Sequence, residues 1–402
     1  MKKEKSAAFF QELNQTLKNY ERAIPFLLID LNQLDENINQ LQNSLNPQLA
    51  FRLVVKSLPS NALVKYIMQR TDTNNLMVFH QPFLTQISAT CSDQVDILIG
   101  KPMPIKTAAY YFNNLPNNPS FNPFDQIQWL VDTEERIREY IGLAKKLGLK
   151  LRLNLEIDLG LHRGGFDGLA ELEKGLKLIA HNTDRVILSG LMGYDPHVVK
   201  LPSVVRSKEQ AFSMANEFYE TAKTLIKTDF AELWSKDLTF NGGGSPTLPL
   251  HQTGDSPLND ISAGSFLLKP TTFDIPTLSA FQPACYIAAP VLKKFSGTTL
   301  PALEKFKKQL NLINSSYKQS FFISGGFWKA DYCYPFGVKQ NKLFGASTNQ
   351  TMLNAPASAQ LEVDDFVFLR PHQSEFVLLQ FGNLLAIRNG VIEEEWAIFN
   401  NW

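Results

Sequence analysis

Phe51-Arg52-Leu53-Val54-Val55-Lys56-Ser57 reads as a strand that stays largely apolar until it meets a lysine, with Pro59, Ser60 and Asn61 close behind. A short apolar run bounded by turn-forming residues is the pattern of a buried strand, and this one ends at Lys56. In a barrel of parallel strands the carboxyl ends open on a common mouth, where the chemistry is done, while the opposite end serves stability. A lysine placed there can act as a neutral amine when partly desolvated, and can then form a Schiff base with an aldehyde. A solvated lysine just past a strand is the plainer alternative, and the flanking chain has to decide between them.

Working outward, strand and helix take turns. Phe26 to Asp30 is a strand signal, and Leu31, Leu34, Ile38 and Leu41 mark a helix stripe. After Lys56 come a helical stretch near 60–70, a strand at Leu76 to Phe79, a helix near 82–91 and a strand at Val95 to Ile99. Further strands are predicted at Ile127 to Val131, Leu149 to Ile157, Val186 to Leu191 and Leu238 to Phe240, with helices near 133–147, 167–181 and 206–227. About eight such units predict an α/β fold, a parallel (β/α)8 TIM-like barrel, with an open doubly wound sheet as the alternative. From about residue 275 the rhythm changes to short β-like runs, at Tyr286 to Ala289, Phe321 to Ile323, Phe366 to Leu369, Phe376 to Leu379 and Leu384 to Ile387, with one helix at 301–312. The expected organisation is a barrel over 25–275 and a second, mainly β C-terminal domain over 276–402. Residues 1–24, which include the amphipathic 7–20 stretch with Phe9, Phe10, Leu13, Leu17 and Tyr20, are grouped with the second domain.

Size and charge narrow the function classes. A chain of 402 residues suits a large barrel plus a second domain. Its 39 basic and 39 acidic residues cancel, which gives no electrostatic case for nucleic acid or an anionic membrane as partner. Cys91, Cys285 and Cys333 have no disulfide or zinc spacing, so a reducing compartment fits. Ala7 to Phe10 is too short for the core of a signal peptide and no later apolar run suits a membrane helix, so a cytoplasmic protein is expected.

Three stretches carry chemistry. In Leu149 to Gly165, Leu151, Leu153, Leu155 and Ile157 alternate with Arg152, Asn154, Glu156 and Asp158, so one face of the strand is polar. A lumen near a bound ligand could partner those groups; a solvent-facing edge strand is the other possibility. The turn that follows, Gly160-Leu161-His162-Arg163-Gly164-Gly165, brings an arginine to the strand's end. In Phe240-Asn241-Gly242-Gly243-Gly244-Ser245-Pro246-Thr247 the glycines let backbone N–H groups approach an anion, and Ser245 and Thr247 could donate further bonds. No lysine follows at P-loop spacing, so a phosphate monoester is favoured over a nucleotide triphosphate, although a tight structural turn would look the same. In Gly190 to His197, Tyr194 could contact a flat ring and His197 could move protons near neutral pH. His372, between β-like runs, stands alone.

Taken in this order the pieces resemble the fold-type III pyridoxal-phosphate enzymes, in particular the D-threonine aldolase and D-serine dehydratase group related to alanine racemase, from about Pro25 to the C-terminus. Lys56 falls where the family's Schiff-base lysine falls. Glu156-Ile157-Asp158-Leu159-Gly160-Leu161-His162-Arg163-Gly164-Gly165 is similar to the family's acidic-Gly-Arg-Gly signature, which implies Arg163 beside the phenolic oxygen of the cofactor. By the same resemblance Tyr194 meets the pyridine ring, and Asn241, Gly242, Gly243, Gly244 and Ser245 hold the phosphate. In metal-dependent members the histidine matching His372 is followed two positions on by Cys or Asp; here that position is Ser374, a poor ligand, so no metal is expected. The Phe240 to Gly244 run and the C-terminal segment look closer to the branch labelled amino acid deaminase/aldolase.

The resemblance therefore implies pyridoxal 5'-phosphate as cofactor, an amino acid as substrate and a homodimer. It also implies lyase chemistry of aldolase or dehydratase/deaminase type on a D-amino acid bearing a β-hydroxyl, with an amino acid racemase or a non-catalytic cofactor-binding protein as the alternatives. Lys56 and Tyr194 are the expected catalytic residues, with His372 or a tyrosine of Asp331-Tyr332-Cys333-Tyr334 as a second acid/base.

Overall fold

The computed structural model describes residues 6–200, 206–252, 256–299, 319–356 and 358–400; the helix expected at 301–312 lies outside them. The chain divides into two compact units. One holds residues 38–266 with 275–280 and 399–402, the other 1–37, 267–274 and 281–398. The helix Ala7–Lys18 and strand β1 (Phe26–Asp30) open the chain within the second of these.

In the first unit eight parallel strands close into a barrel in chain order: β2 (Ala50–Val54), β3 (Asn75–Val78), β4 (Asp96–Ile99), β5 (Ile127–Val131), β6 (Leu151–Glu156), β7 (Val186–Gly193), β8 (Thr239–Gly242) and β9 (Asp260–Ala263). The ring is completed by β9 against β2, with Ala50 opposite Asp260. Helices join most neighbours and begin where the sequence supplies a cap. Thr133 Oγ1 accepts from the Arg136 N–H to start Glu134–Leu147, and Ser207 with Gln210 forms a capping box ahead of Lys208–Asp229. At Gly190 the φ angle is +146° and a Cβ would lie 1.8 Å from the Thr239 carbonyl oxygen; the neighbouring β6–β7 register also shifts at Leu153/Asn154. Only glycine fits that approach.

The barrel interior is layered. At the amino-terminal side Arg52, 1% exposed, donates through Nε and Nη2 to Asp260 at 2.8 and 3.0 Å, and its Nη2 lies 2.9 Å from Asp96. Arg152 donates to the other Asp96 oxygen at 2.7 Å, while Gln128 links Asp96, Thr239 and Asn154. Burial would raise the Asp96 carboxyl, but Arg52 and Arg152 hold it below its ordinary value. The inner part of the polar face of β6 thus finds partners on other strands: Arg152 and Asn154 belong to this floor, while Glu156 and, beyond the strand, Asp158 stand toward the mouth. Above the floor Val54, Met77, Leu98, Leu130 and Met192 form an apolar layer, with Phe79 and Tyr194 packed against it.

The second unit is a nine-stranded sheet in the order β13-β14-β11-β10-β1-β16-β17, with β15 pairing β10 and β12. Its later strands are β10 (Cys285–Phe295), β11 (Gln319–Ser324), β12 (Ala330–Tyr334), β13 (Lys339–Gln340), β14 (Gln350–Ala355), β15 (Phe366–Pro371), β16 (Leu384–Arg388) and β17 (Val391–Trp396). β1, which its place in the alternation assigned to the barrel, pairs here, antiparallel with β10 and parallel with β16. Its core gathers Phe10, Leu13 and Leu17 of the first helix with Phe26, Leu28, Tyr286, Phe366 and Phe368. The run at Phe376 to Leu379 is not a strand: Ser374–Val377 is one helical turn, and four apolar residues carry too little periodicity to tell the two apart.

Candidate functional site

The apolar run of β2 stops at Val54, and Val55–Ser57 is a single 3-10 turn, so Lys56 stands on the first turn beyond the strand's carboxyl end. Its Nζ lies 4.3 Å from the centroid of the Phe79 ring, which stands just past β3. Ser57 Oγ accepts a 2.7 Å hydrogen bond from Ser265 Oγ, and a Cβ on Gly264 would meet the Val54 carbonyl oxygen at 2.6 Å. The turn after β9 is therefore pressed onto the Lys56 corner.

The same turn reaches the triple glycine. The Phe266 N–H donates to Ser245 Oγ at 3.3 Å, so only Gly264 to Phe266 separates the lysine's turn from the glycine turn. Gly243 takes a φ of +71°, and a Cβ on Gly244 would lie 2.8 Å from Cε2 of Tyr194. Residues 243–245 are buried, and among the described residues no acceptor takes the backbone N–H of Gly243, Gly244 or Ser245. Buried N–H groups are seldom left without an acceptor, and successive ones in a turn can form a concavity suited to an anion. Asn241 is turned the other way: its side-chain amide donates to Asp260 and, at 2.7 Å, to Ser262 inside the barrel.

Tyr194 and Arg163 complete the mouth. The Arg163 guanidinium is 4.9 Å from the centroid of the Tyr194 ring. Its loop is shaped by Asp158, whose Oδ1 accepts from the N–H groups of Gly160 and His162 at 2.9 and 3.0 Å and whose Oδ2 lies 3.0 Å from His162 Nδ1. Burial would raise the Asp158 carboxyl, but these bonds outweigh it and hold it low. Beside it the Glu156 carboxyl is pushed up to about 7, first by burial and then by Asp132, against the pull of Arg163. Burial likewise holds the His197 imidazole below its ordinary range; its Nδ1 has no partner among the described residues.

His372 belongs to the other unit, at the end of β15. Its Nε2 lies 3.0 Å from Asp331 Oδ1, and its carbonyl accepts from Thr272. Tyr334 is stacked on Phe10 at 5.0 Å in that unit's core, and burial pushes the Tyr332 hydroxyl up to about 12.

Two further residues, Asp195 and His251, escape sequence reading. Asp195, next to Tyr194, accepts from Thr247 Oγ1 at 2.7 Å and lies 2.9 Å from His251 Nε2. Thr247, read as a possible anion donor, is committed to this carboxylate instead.

A family model described as alanine racemase, N-terminal domain, matches residues 29–235, more than half of the chain. The chain belongs to that family. This is the fold-type III group of pyridoxal-phosphate enzymes that the sequence resembles. Solved structures with the same fold include D-threonine aldolase from Filomicrobium marinum, 15% identical with a TM-score of 0.72, covering 95% of this chain and 98% of that one. D-threo-3-hydroxyaspartate dehydratase from Delftia sp. HT23 is 16% identical with a TM-score of 0.71, covering 96% and 100%. Alanine racemase from Bacillus anthracis with bound L-Ala-P is 14% identical with a TM-score of 0.68, covering 94% and 98%. No curated protein matches the chain. Among the described residues no helix is long and apolar enough to cross a membrane.

Proposed function

We propose that this chain is a pyridoxal-phosphate enzyme that breaks a bond at Cα of a D-amino acid bearing a β-hydroxyl group, by aldolase or dehydratase chemistry. The observation that carries the reading is the convergence of an amine, an aromatic wall and an anion cradle around one short turn: Lys56 and Ser245 are linked through Gly264 to Phe266. The donor set fits the cofactor. Lys56 Nζ would hold its aldehyde carbon, the N–H groups of Gly243 to Ser245 its phosphate, and Tyr194 with Arg163 would border its ring and phenolic oxygen. Bound there, pyridoxal phosphate supplies an electron sink for the negative charge left at Cα.

The chain's own residues supply the remainder. Lys56, on a flexible four-carbon stem, can carry a proton at Nζ to and from Cα. The apolar layer of Val54, Met77, Leu98, Leu130 and Met192 seals the underside of the site from the polar floor and excludes water there. Arg163, lying over the Tyr194 ring, offers a positive charge to an oxygen anion. The D-β-hydroxy preference rests on the likeness to the D-threonine aldolase and D-threo-3-hydroxyaspartate dehydratase structures.

Purified protein tests this directly. A visible absorbance band after incubation with pyridoxal phosphate, fixed by borohydride onto the peptide bearing Lys56, is expected. In Lys56→Ala the band disappears and turnover falls on the order of a thousandfold. A protein that cannot take up the cofactor overturns the proposal. D-Threonine and D-serine, assayed beside D-alanine, separate lyase from racemase. With Ser374 two positions after His372, activity is expected to survive chelator, and a requirement for added metal would refute that part.

A further inference from the structure

We infer that Asp195 is a positioning residue that locks the Tyr194 loop to the triple-glycine turn, so that one buried carboxylate sets both the ring-facing and the phosphate-facing surfaces of the site. The inference rests on the cofactor reading above. Asp195 is 1% exposed and His251 2%. A carboxylate so deeply buried is costly unless each oxygen is hydrogen-bonded. Here one oxygen takes the Thr247 hydroxyl at 2.7 Å and the other faces His251 Nε2 at 2.9 Å, which places the Nε2 proton toward Asp195. His251 is held in turn by Ser256 Oγ at 2.9 Å from Nδ1 and by the edge of Phe212 at 4.8 Å between centroids.

Both partners of Asp195 lie on the glycine side. The N–H groups of Thr247 and Leu248 donate to the Gly244 carbonyl at 3.0 and 2.8 Å, so Thr247 is part of the turn that shapes the cradle. Tyr194 lies on the other side, one residue before Asp195, with its ring closed onto Gly244. Cutting the Asp195–Thr247 bond leaves each loop formed but frees one from the other. A displacement of that kind costs affinity for a ligand that spans both.

The test uses the full chain, freed of cofactor and titrated with pyridoxal phosphate. The dissociation constant, the circular dichroism induced in the cofactor band, and the melting temperature of the cofactor-free protein are compared. Thr247→Val is expected to weaken binding about tenfold, as the loss of one charge-assisted bond implies, and to shrink the induced band. The cofactor-free melt falls by a few degrees, because one oxygen of a buried carboxylate loses its donor, and Thr247→Ser restores melt, binding and band. Asp195→Asn gives the same loss or a larger one; if it does not fold, Thr247→Val decides. Binding within twofold of wild type with an unchanged band in Thr247→Val overturns the inference. A wild-type chain that takes up no pyridoxal phosphate overturns it together with the cofactor reading, whereas equal binding by wild type and variant sinks the inference alone.

Discussion

At the floor of the barrel Arg52 sits between Asp260 and Asp96, with Arg152 closing the set at 2.7 Å from Asp96. At the mouth of the same barrel Lys56 lies over the Phe79 ring and Arg163 over that of Tyr194. The floor meets charge with opposite charge in fixed geometry, which holds strands in register and leaves little to move. The mouth lays cations along aromatic faces, a contact worth about 0.5–2 kcal/mol that fixes their direction less tightly than a charge pair does. One end of the barrel locks its charges into buried pairs, and the other lays them along aromatic rings.

The largest expected effect breaks the floor. Arg52→Met leaves Asp260 and Asp96 buried without their main counter-charge and should lower unfolding stability by about 3–5 kcal/mol in urea titration. The matching change at the mouth, Lys56→Ala, should cost under about 1 kcal/mol while abolishing the cofactor band. Equal stability losses from the two would erase the distinction drawn between the ends.

Glu156, at the mouth, differs from the paired carboxylates of the floor: its carboxyl is raised from the ordinary 4.5 to about 7. The folded state then holds a proton that the unfolded chain has already released, so stability falls as pH rises from about 4.5 to about 7, and the full cost is felt above. Glu156→Gln should therefore be more stable than wild type at pH 8, by about 1 kcal/mol after discounting for partial exposure, and no more stable than wild type at pH 4.5. A variant that loses stability at pH 8 would mean that this carboxylate is paired as firmly as those of the floor. The smallest stability effect belongs to Gly244→Ala. Its Cβ would meet only the edge of the Tyr194 ring, which can turn aside, so the melt should move by no more than about 0.5 kcal/mol while cofactor affinity drops several-fold.

Much of this was legible in the sequence, and the rest failed for identifiable reasons. Seven of the barrel strands announce themselves as apolar runs alternating with helices, as do Lys56, the arginine turn and the glycine run. β9 does not, because it has four residues of which Asp260 and Ser262 are polar and serve the floor. Arg152 and Asn154 were visible as a polar face, but the sequence could not say that Asp96 and Gln128 on other strands would answer them. The Asp195 group was beyond reach for the same reason: its partners lie 52 and 56 positions away, and no local spacing encodes a meeting of side chains across that span. β1 was misplaced because alternation identifies a strand followed by a helix without saying which sheet it joins.

The segment Gly264 to Phe266 touches Ser57 with one residue and Ser245 with the next. A ligand fastened at both of those corners is measured against a gauge three residues long, which admits molecules by the distance between their two ends before any group on the ring is read. Lengthening the tether between ring and phosphate by a single methylene should leave one end or the other unfastened.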